Sequence, residues 1–253
     1  MAAATVVIPA RFGSTRFAAK ILAAETGRPL VQHVVDQVRK CKRVKEIVVA
    51  TDDQRIADAL KPFDTHCVMT DPSHQSGTDR IAEVMKLRVE PIVVNVQGDE
   101  PEIEPEIVDQ LIERLENSDE DMATAATRFA PGSDPGNPNL VKVICDQNGR
   151  AIYFSRSPIP FHRDATFAQN VPYDLHLGIY AYRREFLLEF ASWQPTPLEM
   201  TEKLEQLRAI EHGRSIFVLK VNRATHGIDT PEQYAAFVER YKGSGQWPVV
   251  SGQ

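Results

Sequence analysis

Short apolar runs alternating with amphipathic helical stripes constrain this chain more than any other feature. Thr5–Ala10 is an apolar run that suits a buried strand. Pro29 opens a stripe of Leu30, Val31, Val34, Val35 and Val38 on one helical face. Glu46–Ala50 reads as a second strand, and Ile56, Ala57 and Leu60 mark a short helix. His66–Met69 reads as a third strand, Asp79–Leu87 as a helix and Pro91–Val96 as a further strand. Pro105 stands at a first helical position, ahead of Ile107, Val108, Leu111, Ile112 and Leu115. This alternation implies βαβ units. The expected class is α/β: a Rossmann-like, mostly parallel mixed sheet flanked by helices.

The rhythm changes after Met122. Met122–Arg128, Leu140–Asp146, Ala151–Phe154 and His176–Tyr182 read as strands with few helices between them. Phe129–Asn139 holds three prolines and two glycines and reads as a loop. We expect a smaller antiparallel or mixed excursion over about residues 130–185. Met200, Leu204, Leu207 and Ile210 define one helix, and Ser215–Asn222 a strand. Thr230-Pro231-Glu232-Gln233 carries a capping-box pattern. The expected layout is a single domain over 1–242 and a flexible tail over 243–253.

Composition narrows the function. Among 253 residues, 42% are apolar and 25% charged, as in soluble globular chains. A net charge of −6 argues against non-specific nucleic-acid binding. No apolar run reaches 18 residues, and no basic segment precedes the first one, so neither a membrane span nor a signal peptide is expected. Cys41, Cys67 and Cys145 are scattered, giving no disulfide framework and no zinc spacing; a cytoplasmic location is expected.

Three stretches carry chemistry. The loop after the first strand, Pro9–Arg16 with Lys20 following, offers Arg11, Gly13, Ser14, Thr15, Arg16 and Lys20. Backbone N–H groups, hydroxyls and three cations at a strand end make a polyphosphate site. The loop matches neither G-x-G-x-x-G nor G-x-x-x-x-G-K-[ST]. Asp99, in Asn95–Pro101, stands after another strand, where a carboxylate can hold Mg²⁺ against phosphate oxygens, and Gly98 would admit a ligand closely. Asp229 precedes the last helix; it serves either the helix dipole or, with Asp99, a metal. His176 and Tyr180 lie four apart on a strand and share a face that could line a pocket.

Taken together, the motifs resemble those of the 3-deoxy-manno-octulosonate cytidylyltransferases, or CMP-Kdo synthetases, within the sugar nucleotidyltransferase group. The matching pieces are I-P-A-R-F-G-S-T-R with Lys20, H-Q-S-G-T-D-R at His74–Arg80, V-N-V-Q-G-D-E-P at Val94–Pro101 and N-P-N-L-V-K-V at Asn137–Val143. Y-F-S-R at Tyr153–Arg156, H-L-G-I-Y-A-Y at His176–Tyr182, W-Q-P-T-P-L-E at Trp193–Glu199, L-E-Q-L-R at Leu204–Arg208 and G-I-D-T-P at Gly227–Pro231 follow in family order.

The resemblance implies that CTP and the acid sugar Kdo give CMP-Kdo and pyrophosphate with Mg²⁺, for lipopolysaccharide assembly. It implies a homodimer through the excursion. It assigns Arg11, Ser14, Thr15, Arg16 and Lys20 to the phosphates, and Ser76, Gly77, Thr78 and Arg80 to the cytidine side. Gln97 falls between nucleotide and sugar. Asp99 and Asp229 match the metal carboxylates, and one or two Mg²⁺ are expected. Arg156, His176, Tyr180, Glu205 and Gln206 match the sugar pocket. Kdo and its 8-amino analogue both remain open. A sialic-acid cytidylyltransferase and a non-catalytic nucleotide-binding module are the rival readings.

One departure stands out. The family usually continues the first loop with Leu-Pro-Gly-Lys-Pro-Leu; this chain has Phe17-Ala18-Ala19-Lys20-Ile21-Leu22. Two prolines and a glycine are gone, so Phe17–Leu22 is expected to be mobile before substrate binds.

Overall fold

Strand β1 (Ala4–Ala10) is buried along nearly its whole length and pairs in parallel with β2 (Val44–Thr51), Val6 opposite Ile47 and Ile8 opposite Val49. β2 pairs in parallel with β3 (Cys67–Met69). These strands belong to a computed structural model that describes residues 4–13, 17–130, 132–163, 173–222 and 227–244. The chain divides into two compact units. One holds Met1–Val89, Asn95–Pro105 and Thr225–Gln253; the other holds Glu90–Val94 and Glu106–Ala224.

In the first unit the expected apolar stripe is the buried face of α1 (Leu30–Val38). Asp53 caps α2 (Gln54–Leu60) by accepting from the Arg55 N–H. Ser76 and Asp79 form a capping box on α3 (Gly77–Lys86). The last helix, α8 (Pro231–Gly243), opens on the Thr230–Gln233 capping box, as its sequence indicates. Its helical bonding continues through Gly243, whose place in a flexible tail is therefore corrected; residues 245–253 lie outside the described residues.

The Phe17–Leu22 stretch is folded. Lys20–Leu22 forms a 3-10 turn with Ile21 buried. Phe17 packs on a buried cluster of Leu30, Ile228, Tyr234, Phe237 and Val238, with its ring centroid 5.6 Å from that of Tyr234. Phe17 and Ile21 thus give the stretch apolar contacts where the prolines are missing.

In the second unit the strand order is β4 (Ile92–Asn95), β8 (Asp174–Arg183), β5 (Met122–Arg128), β9 (Ile216–Val221). β5 runs antiparallel to β8 and parallel to β9. β6 (Lys142–Cys145) pairs antiparallel with β7 (Ala151–Ser155) and with β8. The expected mixed sheet, parallel in its first half, is present. α4 (Pro105–Glu116) buries its expected stripe. An unanticipated helix, α5 (Arg184–Ser192), follows β8 and buries Phe186, Leu187 and Phe190.

The single helix expected over Met200–Ile210 is instead two: α6 (Pro197–Glu202) and α7 (Leu207–Glu211). Lys203 breaks them with φ 54°. A buried guanidinium explains the break. Arg208 binds Glu199 at 2.7 and 2.6 Å and reaches the Trp193 carbonyl at 3.2 Å, which needs α7 folded back on α6.

Candidate active site

In the first unit, strand ends and helix starts converge on one lysine. Lys20 Nζ donates to Asp99 Oδ2 at 2.5 Å, to the Ile228 carbonyl at 2.8 Å and to Asp229 Oδ1 at 3.1 Å. The two acids come from segments 130 residues apart, yet the Ile228 N–H donates to the Asp99 carbonyl at 2.8 Å and fixes their spacing. Thr230 and the Gln233 side chain hold the Asp229 end, Gln233 Oε1 accepting from the Asp229 N–H at 2.6 Å. The Asp229 side chain faces Lys20, beside Asp99.

The backbone before Lys20 carries strain. Ala19 has φ 54°, in the left-handed region, at the position where the resembling family has glycine. An L-residue there costs about 1–2 kcal/mol. Gly98 has a packing use as well. A Cβ there would lie 3.1 Å from the Pro9 carbonyl and 3.3 Å from Ile21, so the missing side chain lets the Asp99 segment pack on β1.

Three hard oxygens around one ammonium are also a set that suits a divalent cation. Mg²⁺ typically takes one or two protein carboxylates and completes its shell with water and substrate phosphate. Among the described residues there is no group of three or more metal-ligating side chains. The Asp99–Asp229 pair fits that sparse mode. Beside it lies Glu100, which sequence reading did not single out. Burial, and then the Asp99 charge, push its carboxyl up to about 8, so at neutral pH it adds little negative charge.

A polar cleft of about 270 Å³ in the same unit is lined by Pro9, Ala10, Arg11, His74, Gln75, Ser76, Gly77, Arg80 and Gln97. It brings together Arg11, Ser76, Gly77, Arg80 and Gln97 from the expected nucleotide residues. The start of α3 faces it, and the positive end of a helix dipole favours an anion there. Ser76 spends its hydroxyl on the cap, accepting from the Asp79 N–H at 3.1 Å. Arg80 is buried, paired with Asp52 at 2.9 Å and bonded to the Thr70 hydroxyl. Thr78 is buried in α3. Phe12 is pinned under the Arg55 guanidinium, 3.4 Å from its ring centroid. Ser14, Thr15 and Arg16 lie outside the described residues. His74 was missed as a lining residue. It bonds Glu83 at 2.5 Å, and its sequence signal was its place at the head of the H-Q-S-G-T-D-R motif, where no role was assigned to it.

The second unit gathers the residues matched to a sugar pocket. Thr124 pairs with Tyr180 and Ala125 with Leu177, so Gly178 and Ile179 form a two-residue bulge. An even insertion preserves facing, and His176 and Tyr180 stay side by side, ring centroids 5.4 Å apart. The Thr124 hydroxyl donates to the Ile179 carbonyl at 2.7 Å, so it accepts from His176 Nε2 at 3.0 Å. Burial holds the His176 imidazole down at about 3, leaving it neutral. Burial, with the Glu205 charge behind it, pushes the Tyr180 phenol up. Gln206 is buried with its Nε2 unpartnered among the described residues, an amide donor suited to a ligand.

Arg156 does something the motif did not indicate. Its guanidinium donates to the carbonyls of Pro138 at 2.7 Å, Glu202 at 2.7 Å and Lys203 at 3.2 Å. It clamps two loops through these three carbonyls. Next to it the fully buried Lys142 donates to the carbonyls of Leu140 at 2.7 Å, Asn137 at 3.3 Å and Arg156.

Comparison with known proteins agrees with this chemistry. The sequence profile of the cytidylyltransferases matches residues 5–216. The chain is 47% identical to a 3-deoxy-manno-octulosonate cytidylyltransferase of Geobacter sulfurreducens, over 94% of this chain and 99% of that one. It is 46% identical to the enzyme of the same name from Geotalea daltonii, over 95% and 99%. A solved CMP:2-keto-3-deoxy-manno-octonic acid synthetase complexed with CTP superposes with TM-score 0.90 at 37% identity, covering 95% of this chain and 99% of that one. A 4-diphosphocytidyl-2C-methyl-D-erythritol synthase from Anaerococcus prevotii, at 17% identity and TM-score 0.60, shares the fold alone. The chain belongs to the 3-deoxy-manno-octulosonate cytidylyltransferases, a family within the cytidylyltransferases.

Proposed function

We propose that this protein transfers CMP from CTP to 3-deoxy-manno-octulosonate, releasing pyrophosphate, and that its product serves lipopolysaccharide assembly. The observation that carries the reading is the convergence of Asp99 and Asp229 on one cation in the unit that also holds the Arg11–Arg80 cleft. The anomeric hydroxyl attacks the α-phosphorus in line with departing pyrophosphate. Such a transfer depends on positioning and charge neutralisation. Arg11 and the start of α3 present positive charge to the triphosphate, with Arg16 and Lys20 completing the cationic set. Asp99 and Asp229 would hold Mg²⁺, which supplies charge neutralisation at the phosphate and acidity for the attacking hydroxyl. Gln206 and Tyr180 supply donors for an acid sugar, and Arg156 a positive charge. Incubation with CTP, Mg²⁺ and Kdo should release pyrophosphate. Release with sialic acid in place of Kdo, or with neither, would defeat the reading.

The proposed assembly is a homodimer. In the second unit Ile152 on β7 is 55% exposed and Phe161 87% exposed, an apolar pair that a second copy of the chain would cover. Among the described residues no helix is long and apolar enough to cross a membrane; the protein is proposed to work in the cytoplasm. Light scattering at twice the 28.4 kDa chain mass supports the dimer, and the single-chain mass overturns it.

A further inference from the structure

We infer that Lys20 occupies the cation seat between Asp99 and Asp229 when no divalent cation is bound, and that metal and lysine exchange places there. The inference rests on the assignment of the two aspartates as metal ligands. It goes beyond that assignment by giving Lys20 two positions.

The geometry makes sharing unworkable. All three Lys20 donors are spent on Asp99, Asp229 and the Ile228 carbonyl, at 2.5, 3.1 and 2.8 Å. An ammonium at those distances fills the volume a cation would need, and two cations in one seat repel. The seat itself is rigid. The Ile228–Asp99 backbone bond joins its two sides, and Gln233 secures Asp229. The movable part is therefore the lysine. Each state has its own logic. Without metal, the ammonium keeps two carboxylates from facing each other uncompensated. With metal, the ammonium is released from the two carboxylates and its charge becomes available to phosphate.

An internal occupant weakens the apparent affinity for the external one, by the fraction of molecules in which the seat is vacant. Metal binding to the nucleotide-free protein should therefore tighten when the lysine is removed. Mn²⁺ titration followed by EPR, on the full chain without nucleotide or sugar, measures this. Lys20→Met should bind Mn²⁺ at least about tenfold more tightly than wild type. The gain should vanish in Lys20→Met/Asp99→Asn.

A second readout uses the wild-type protein and separates seat exchange from simple charge removal. Reductive methylation, followed by mass spectrometry of the Lys20 peptide, should be slow without metal and several-fold faster once Mn²⁺ fills the site. Unchanged or weaker Mn²⁺ binding by folded Lys20→Met overturns the inference. Tighter binding with no metal-dependent change in Lys20 methylation overturns it equally, since charge alone would then account for the affinity. If Lys20→Met does not fold, the methylation result decides. Neither measurement reads turnover, so a failure here leaves the proposed reaction standing, and a failure of the reaction leaves the exchange testable.

Discussion

The backbone N–H of Ile228 donates to the carbonyl of Asp99 at 2.8 Å. That bond sets two carboxylate-bearing segments at cation-sharing distance, independently of what lies between the carboxylates. The site's spacing is therefore a property of the backbone, and neutralising either side chain leaves it in place.

Asp99→Asn or Asp229→Asn should accordingly lower kcat by at least about 100-fold, equivalent to about 3 kcal/mol of transition-state stabilisation, with the fold intact. Steady-state pyrophosphate release and circular dichroism check this. Near-normal kcat at ordinary Mg²⁺ in either variant would remove that residue from the metal site.

Ala19→Gly should stabilise the protein by about 0.5–1 kcal/mol. Relief of the left-handed backbone exceeds the entropy that glycine adds to the unfolded chain. Ala19→Val should destabilise it, because a β-branched residue is a genuine outlier at positive φ. Urea unfolding of the three proteins gives the order. A less stable Ala19→Gly would show that no strain is held there.

His176 should make folding acid-sensitive. Its folded pKa of about 3 lies below the unfolded value of 6.5, so the unfolded chain binds the extra proton between those values. The imidazole's contribution is complete above pH 6.5, falls with pH and is gone at about pH 3. Between pH 7.5 and pH 5 the advantage of wild type over His176→Gln should shrink by about 2 kcal/mol. Nitrogen-15 NMR at pH 5 should show a neutral ring with the proton on Nε2, the nitrogen facing Thr124. A protonated ring at that pH contradicts the enclosure by Phe154 and Tyr180.

Lys142→Met should cost at least about 2 kcal/mol, since it leaves the carbonyls of Asn137, Leu140 and Arg156 without their buried donor. Hydrogen exchange should speed up over residues 137–140. Unchanged stability would mean that water replaces the ammonium without penalty.

The sequence by itself determined what local pattern controls. The stripe from Leu30 to Val38, the runs that became β1 and β2, and the capping box at Thr230 all stood where periodicity and capping residues put them. Motif order alone gave the family. What the tertiary structure decided is which side chain meets which. The helix expected through Met200 and Ile210 breaks at Lys203 as Arg208 reaches back to Glu199, nine residues away, a contact that the helical i,i+3 and i,i+4 spacing does not contain. Gly98 serves the packing of its segment on Pro9. Lys20, read as a phosphate ligand, lies between Asp99 and Asp229, 79 and 209 residues away. A charge can be read from one position, but its partner is fixed by chain folding, because Coulomb and hydrogen-bond energies depend on distance in space and not on separation in sequence.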